Sequence, residues 1–238
     1  MRVRLPLGRT LFFVCAFLFS LLALFPLRIA LDWLTLDDRG FAAREARGSI
    51  WLGSLSEAQI GTIALGDVTA QLRTLPLFIG RARIDLARDD DQNPLAGSAT
   101  VSRHSFGIDD VTARLQIGSA LAPLPVGGVD LSDVTAHFAD GQCTSAEGLV
   151  RADIAGDVGG LTLPGGLSGN ARCDRGALLL PLVSQSGMEA LNLRLFEDGR
   201  YELELAVRPV DDAMRDRLVA AGFALGAAGY ALRSSGTF

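Results

Sequence analysis

Residues 111–117 read Val111-Thr112-Ala113-Arg114-Leu115-Gln116-Ile117, with an apolar side chain at every second position and a polar one between. A period of two belongs to a β-strand, whose successive side chains point to opposite faces. Here one face is apolar and the other wettable, as in an antiparallel sheet packed on one side only. The same alternation surrounds this stretch from about Ala58 onward. It appears at Val68/Ala70/Leu72, Ala82/Ile84/Leu86, Val134/Ala136/Phe138, Val150/Ala152/Ile154, Leu191/Leu193/Leu195 and Leu203/Leu205/Val207.

Glycine and proline clusters punctuate these runs. Turns are expected at Gly127-Gly128, Gly156-Asp157, Gly159-Gly160, Pro164-Gly165-Gly166, Ser168-Gly169-Asn170 and Asp198-Gly199, the last being the clearest hairpin signal. A last short strand is expected at Tyr230-Ala231-Leu232. One segment departs from the pattern. Pro209 to Gly222 carries Asp211-Asp212 early and Arg215/Arg217 late, the charge order that suits a helix dipole, with Met214, Leu218 and Ala221 as its apolar stripe. The sequence predicts a meander of hairpins with one short helix near the C-terminus.

The N-terminus is different in kind. Arg2, Arg4 and Arg9 precede an apolar run from Thr10 to Leu27, which as a helix would cover roughly 27 Å, close to the hydrocarbon thickness of a bilayer. Arg28 ends it, and Asp32, Asp37 and Asp38 follow. This charge asymmetry places the N-terminus in the cytoplasm. The competing reading is a cleaved signal peptide, but Leu24-Phe25-Pro26-Leu27-Arg28 offers bulk and charge where a cleavage site wants small residues. The expected organisation is a basic cytoplasmic segment over 1–9, a transmembrane helix over 10–27, and a β-rich domain over 28–238 on the far side, which is the periplasm if the cell is Gram-negative.

The 238 residues are 49% hydrophobic and 21% charged, with a mean hydropathy of +0.30, enough for a substantial core. A net charge of −5 and a pI near 5.1 argue against nucleic acid as a partner. All 22 basic residues are arginine, so lysine chemistry is excluded. Beyond Cys15 in the apolar run, only Cys143 and Cys173 remain. They are either two buried thiols or a disulfide. An oxidising compartment favours the bridge, which would stabilise by about 3–4 kcal/mol on the chain-entropy model.

Chemistry-bearing residues are sparse. His104 stands beside Ser105 with Asp109 and Asp110 nearby, but no nucleophile elbow accompanies them, and His137 falls on the wet face of its strand. Asp89, Asp90 and Asp91 lack the spaced ligands of a calcium loop and read as a solvated tip. The pattern points to no catalytic residue, metal or cofactor. Trp33 falls just past the apolar run, at interface depth. Trp51 sits inside Gly48-Ser49-Ile50-Trp51-Leu52-Gly53, where the glycines Gly48 and Gly53 bracket a tight structural turn.

The order of these features resembles the type II secretion system protein N family, the inner-membrane N component of the general secretion pathway. Carrying the resemblance are the Gly48–Gly53 turn, Ile63-Ala64-Leu65-Gly66-Asp67-Val68, Pro125-Val126-Gly127-Gly128-Val129-Asp130-Leu131, Cys143 with Cys173-Asp174-Arg175-Gly176-Ala177, and Asp198-Gly199-Arg200-Tyr201. Thr69-Ala70-Gln71-Leu72 lacks the tryptophan expected after the Leu-Gly turn. The resemblance implies an accessory, non-enzymatic role in exporting folded periplasmic proteins across the outer membrane. Its partners would be the inner-membrane platform, the pseudopilins or the secretin, together with inner-membrane lipid. The β-rich part is also similar to AsmA-like envelope proteins, whose sheets curl into an open groove. Two arrangements are therefore expected of the curled antiparallel sheet. A filled sandwich would dock other secretion components through edges and wet-face arginines (Arg73, Arg81, Arg83, Arg114, Arg151, Arg194), whereas an open groove would hold lipid or lipoprotein.

Overall fold

The computed structural model describes residues 7–29, 41–61, 63–88, 90, 93–117, 126–154, 166–226 and 229–237. Arg2, Arg4, Asp32, Trp33, Asp37, Asp38, Asp89, Asp91 and the turn signals between 156 and 165 lie outside them.

Helix α1 spans Leu7–Ala23 and has 17 residues. Among the described residues no helix is long and apolar enough to cross a membrane. The helix ends before the expected boundary at Leu27, because Pro26 pairs with Ser49 in an isolated β-bridge and Leu27 is buried against the sheet.

The described strands form one antiparallel sheet, running β1 (Phe41–Ala42), β2 (Glu45–Ser49), β3 (Leu52–Ile60), β4 (Ile63–Leu72), β5 (Ala82–Arg88), β6 (Leu95–Val101), β7 (Ser105–Gln116), β8 (Val126–Ala139) and β9 (Gln142–Ile154). It continues with β10 (Leu167–Asn170), β11 (Arg172–Asp174), β12 (Ala177–Val183), β13 (Glu189–Leu195), β14 (Arg200–Val207), β15 (Ala224–Gly226) and β16 (Gly229–Thr237). Neighbours in sequence are mostly neighbours in the sheet, with β14 pairing β16 and β15 closing the far edge. The alternating runs named above lie on β4, β5, β7, β8, β9, β13 and β14.

Three of the sheet's bulges carry a residue with left-handed backbone angles. Glu57, Asp110 and Asp133 adopt left-handed backbone angles within β3, β7 and β8, each adding one residue against its partner strand. A bulge bends its strand and sharpens the local twist, and it leaves an N–H outside the ladder. Side chains on the adjacent strand accept those protons: Glu57 N–H donates to Asp67 Oδ1 (2.9 Å), Asp110 N–H to Thr135 Oγ1 (3.1 Å) and Asp133 N–H to Thr112 Oγ1 (3.2 Å). The last two are reciprocal. Asp110-Val111-Thr112 runs antiparallel to Asp133-Val134-Thr135 with Val111 opposite Val134, so each segment's threonine receives the other's bulge proton. The tetrapeptide Asp-Val-Thr-Ala occurs at 67–70, 110–113 and 133–136. Its alanine is buried each time, and its valine packs into the core. This repeat is a sequence signal that the alternation alone does not reveal.

Two expected turns are strand. Gly127-Gly128 lies inside β8, with Gly127 the extra residue of a further bulge against β9. Ser168-Gly169-Asn170 lies in β10, where β12 passes so close that a Cβ on Gly169 would sit 2.0 Å from Pro181 O. Glycine there admits the close approach of another strand and makes no turn. Conversely, Asp140-Gly141 and Arg175-Gly176 form two-residue hairpins with both residues at positive φ, the geometry that matches strand twist. Asp198-Gly199 makes its hairpin between β13 and β14 as expected, the Phe196 N–H donating to Arg200 O.

Two further short helices differ in origin. Helix α2 (Thr74–Leu77) caps the β4–β5 connection. Helix α3 (Asp212–Ala220) is the one expected near the C-terminus: Asp211 Oδ1 accepts the Met214 N–H at 2.6 Å as N-cap, and Leu218 is fully buried. The core falls into two clusters, one around β3, β4, β6 and β7 with Leu27, the other from β8 to β16 with α3, and Leu115 and Leu131 pack against both. Leu191 and Leu205, 1% and 0% exposed, show the apolar face to be covered at β13 and β14, while on β5 Ile84 and Leu86 are half-buried. The described strands form a single sheet whose path ends on β1 and β15, with no second sheet among the described residues to make a sandwich.

The disulfide Cys143–Cys173 (Cα–Cα 5.5 Å) ties the start of β9 to β11. β11 continues the line of β10 past a break at Ala171 and pairs only with β12, so the bridge, with the Cys143 N–H donating to Gly176 O, fills the place of a ladder.

Two outcomes follow for stability. A Cβ on Gly148 (φ +107°) would meet Asp133 O and Val134 Cα at 2.5 Å, whereas one on Gly61 (φ +57°) meets nothing. In urea denaturation Gly61→Ala should cost about 1 kcal/mol, from backbone conformation alone, and Gly148→Ala about 2 kcal/mol or more. Equal costs would remove the bulge from the account of the bend. Reductant, or Cys143→Ser, should lower the melting temperature of the sheet by the equivalent of about 3–4 kcal/mol; identical melting with and without reductant would show the bridge to be idle.

Candidate functional site

Four of the arginines expected to dock partners from the wet face, Arg73, Arg83, Arg114 and Arg194, are held in ion pairs within the sheet. Arg114 bonds Asp130 directly across β7 and β8 (2.7 Å), Arg194 bonds Asp174 (2.5 Å), and Arg233 bonds Glu204 across β16 and β14 (3.0 Å). Arg73 pairs with Asp85, and Arg83 lies 3.5 Å from Asp85 and 3.6 Å from Asp109. Exposed cross-strand pairs of this kind contribute a few tenths of a kcal/mol each and mainly hold register. Arg88 acts differently. β4 pairs with β5 at one end and touches β7 at the other through Ala64 and Gln116, leaving a fork in the sheet. The Arg88 guanidinium enters the fork and donates to Leu65 O on β4, Asn93 O in the β5–β6 loop and Arg114 O on β7.

Two clefts open on this face. One, of about 650 Å³, is lined by Arg172, Asp174, Arg194, Glu202, Glu204 and Arg233. Both charge signs are represented and largely paired, so its lining suits a polar protein surface better than a single anion. The other, of about 380 Å³, lies over β5 to β8 beside α2 and contains Arg83, Thr100, Asp109 and His137. His137 projects from the wet face, as its place in the alternation requires, and its ring lies across Gly107 on β7, where a Cβ would sit 2.4 Å from Cδ2. His137 Nε2 is 2.7 Å from Asp109 Oδ1, and Thr100 Oγ1 donates to Asp109 Oδ2 at 3.2 Å. Burial pushes the Asp109 carboxyl upward, and the hydrogen bond and charge of His137, with Arg83 and Thr100, outweigh it, holding the group below its ordinary value.

This pairing was not foreseen in the sequence, where Asp109 and His137 are 28 positions apart. His104 stays exposed, 3.8 Å from Asp140 Oδ1. Among the described residues no hydroxyl or thiol is hydrogen-bonded to either imidazole ring, the Thr144 hydroxyl donating only to the His137 backbone carbonyl, and no group of three or more His, Cys, Asp or Glu side chains is placed to hold a metal. The arrangement orients a half-exposed imidazole and an arginine; it assembles no nucleophile and base.

The Gly48–Gly53 segment is a β2–β3 hairpin with Ile50-Trp51 as its two-residue loop and Gly48 opposite Gly53. Gly48 takes a positive φ of 86°, and Gly53 leaves a socket that Leu27 Cδ2 fills, 2.4 Å from where a Cβ would stand. Trp51 is half-buried. The hairpin therefore receives the chain as it comes off α1, with the Ile50 N–H donating to Phe25 O at 3.1 Å.

The model of the family described as Type II secretion system (T2SS), protein N matches residues 39–233. The chain belongs to that family. The match runs from just before β1 into β16 and leaves α1 outside it. No curated protein and no solved structure matches the chain. As a protein N family member it is a component of type II secretion, an accessory part of that system.

The lowered carboxyl makes a pH-dependent prediction. A depressed native pKa adds stability that is present above the unfolded value, about 3.9, and is lost as pH falls through the native value. Asp109→Asn should cost about 1 kcal/mol at pH 7, and the gap to the wild type should close on acidification below about pH 4. A gap that stays constant down to pH 2 would mean the carboxylate charge contributes nothing.

Proposed function

We propose that this protein N family member is a bitopic inner-membrane component that supports export of folded periplasmic proteins across the outer membrane through protein–protein contacts. Helix α1 is the tether, its N-terminus in the cytoplasm, and the sheet stands in the periplasm. The observation that carries the reading is the family match from just before β1 into β16, combined with a wet face and open edges.

Other features support it. Phe12, Phe13, Phe17 and Phe19 stand exposed on α1, and Leu11, Leu18 and Leu21 with them, a surface that water disfavours. At about 26 Å the helix is somewhat short for a hydrocarbon core of about 30 Å, a mismatch that bilayers accommodate by local thinning. The disulfide suits an oxidising compartment. The sheet path ends on the short strands β1 and β15, and Leu225 is exposed on the latter, so a partner strand can add there.

Deletion should impair delivery of the system's substrates to the medium, with those substrates accumulating in the periplasm and inner-membrane export intact. Unchanged secretion in the deletion strain would overturn the accessory role.

A further inference from the structure

The β4–β5 connection reads Thr74-Leu75-Pro76-Leu77-Phe78-Ile79-Gly80, a run without alternation between two alternating strands. The structure does not bury it. Leu75 is 79% exposed, Phe78 86% and Ile79 71%, three large apolar side chains together at one tip of an otherwise well-packed sheet. The α2 turn presents them rigidly: the N–H groups of Phe78, Ile79 and Gly80 donate to the carbonyls of Leu75, Pro76 and Leu77. Arg81 follows at the base, exposed and with no ion pair among the described residues, while the flanking Arg73 and Arg83 are held by Asp85.

The position of this tip is as telling as its composition. Phe25 O, at the end of α1, accepts the Ile50 N–H, and Ile50 O accepts the Leu72 N–H at 3.2 Å. Leu72 is the last residue of β4, so the tip begins within roughly 10 Å of this relay. The strand registers put the β2–β3 hairpin, the β4–β5 connection and the exit from α1 at one end of the sheet. Leu52, also strongly exposed, and the half-buried Trp51 share that end.

We infer that Leu75, Phe78 and Ile79 enter the interfacial layer of the same lipid bilayer that holds α1, with Arg81 at the level of the lipid phosphates. An exposed apolar cluster with a basic collar is the composition of a monotopic membrane contact, and an arginine there keeps its charge in the headgroup region while its stem covers apolar surface. Two contacts at one end of the sheet restrain its tilt, which a single helix leaves free. The wet face and the outer edges are thereby presented in a defined direction from the membrane. This inference rests on α1 as the tether, and its test separates the two.

The experiment uses the full-length chain in vesicles of phosphatidylethanolamine with a minor fraction of phosphatidylglycerol, with or without lipid carrying a nitroxide high on its acyl chain. An environment-sensitive fluorophore is attached in turn to the native Cys15, and, with Cys15→Ser, to Phe78→Cys, Leu75→Cys and Gln185→Cys. Gln185 is exposed on the turn between β12 and β13, at the opposite end of the sheet. Labels at 78 and 75 should emit further to the blue and lose most of their emission to the nitroxide, while the label at 185 keeps its emission. Unquenched emission at both 75 and 78 with Cys15 still shielded from water-soluble quencher overturns the lipid contact and leaves the tether standing; the tip then belongs to a protein partner. Quenching at 78 with Cys15 accessible to water-soluble quencher overturns the tether and retains the lipid contact. Absence of both signals removes both.

Discussion

The constraint on which the structure depends is the reciprocal pairing of two bulges at the centre of the sheet. A long antiparallel sheet left flat would expose its apolar face, because one face of every alternating strand is leucine, valine and alanine. The extra residues at Asp110 and Asp133 bend β7 and β8, and each bulge proton is received by the other strand's threonine. The exchange satisfies both orphan donors within the protein, so the bend costs little in unpaired polar groups. Glycine at 97 and 148 gives the bulged strands room, since side chains there would overlap Val111 and the Asp133–Val134 backbone.

Everything that bends must also be closed where the ladder fails, and three different chemistries do so. Arg88 spans the fork at β4, β5 and β7 with a guanidinium, whose planar donors reach three carbonyls at once. The disulfide holds β11 to β9 after the strand line breaks at Ala171. Leu27 fills the socket left by Gly53, seating the end of α1 on the sheet. Each substitutes one kind of bond for a missing row of strand hydrogen bonds, and together they turn a meander of hairpins into a single curved body.

For a type II secretion component this construction has a consequence. Where the two core clusters bury the apolar face, the surfaces left for partners are the wet face, the open edges and the rim beside α1. The wet face is laced with arginine–carboxylate pairs of both signs, which favours discriminating polar contacts over strong nonspecific attraction. An imidazole set by Asp109 in the smaller cleft adds a donor of fixed orientation to that surface. The rim contributes apolar side chains that neither core cluster absorbs.

The sequence by itself determined the strands whose two faces differ, because a period of two is written locally: Val111 to Ile117 and Leu203 to Val207 can be read without knowing their neighbours. It also determined α3, whose cap, dipole charges and stripe all lie within one short segment, and it pointed to Cys143 and Cys173 by count. Tertiary structure alone decided the rest. β12 carries leucines on both faces and shows no alternation, and Gly127 and Gly169 read as turns until the strands beside them are known. The partnership of Asp109 with His137, the entry of Arg88 into the fork and the exposure of Phe78 depend on which strands become neighbours. A pairing register is a property of two distant segments at once, and neither segment contains it.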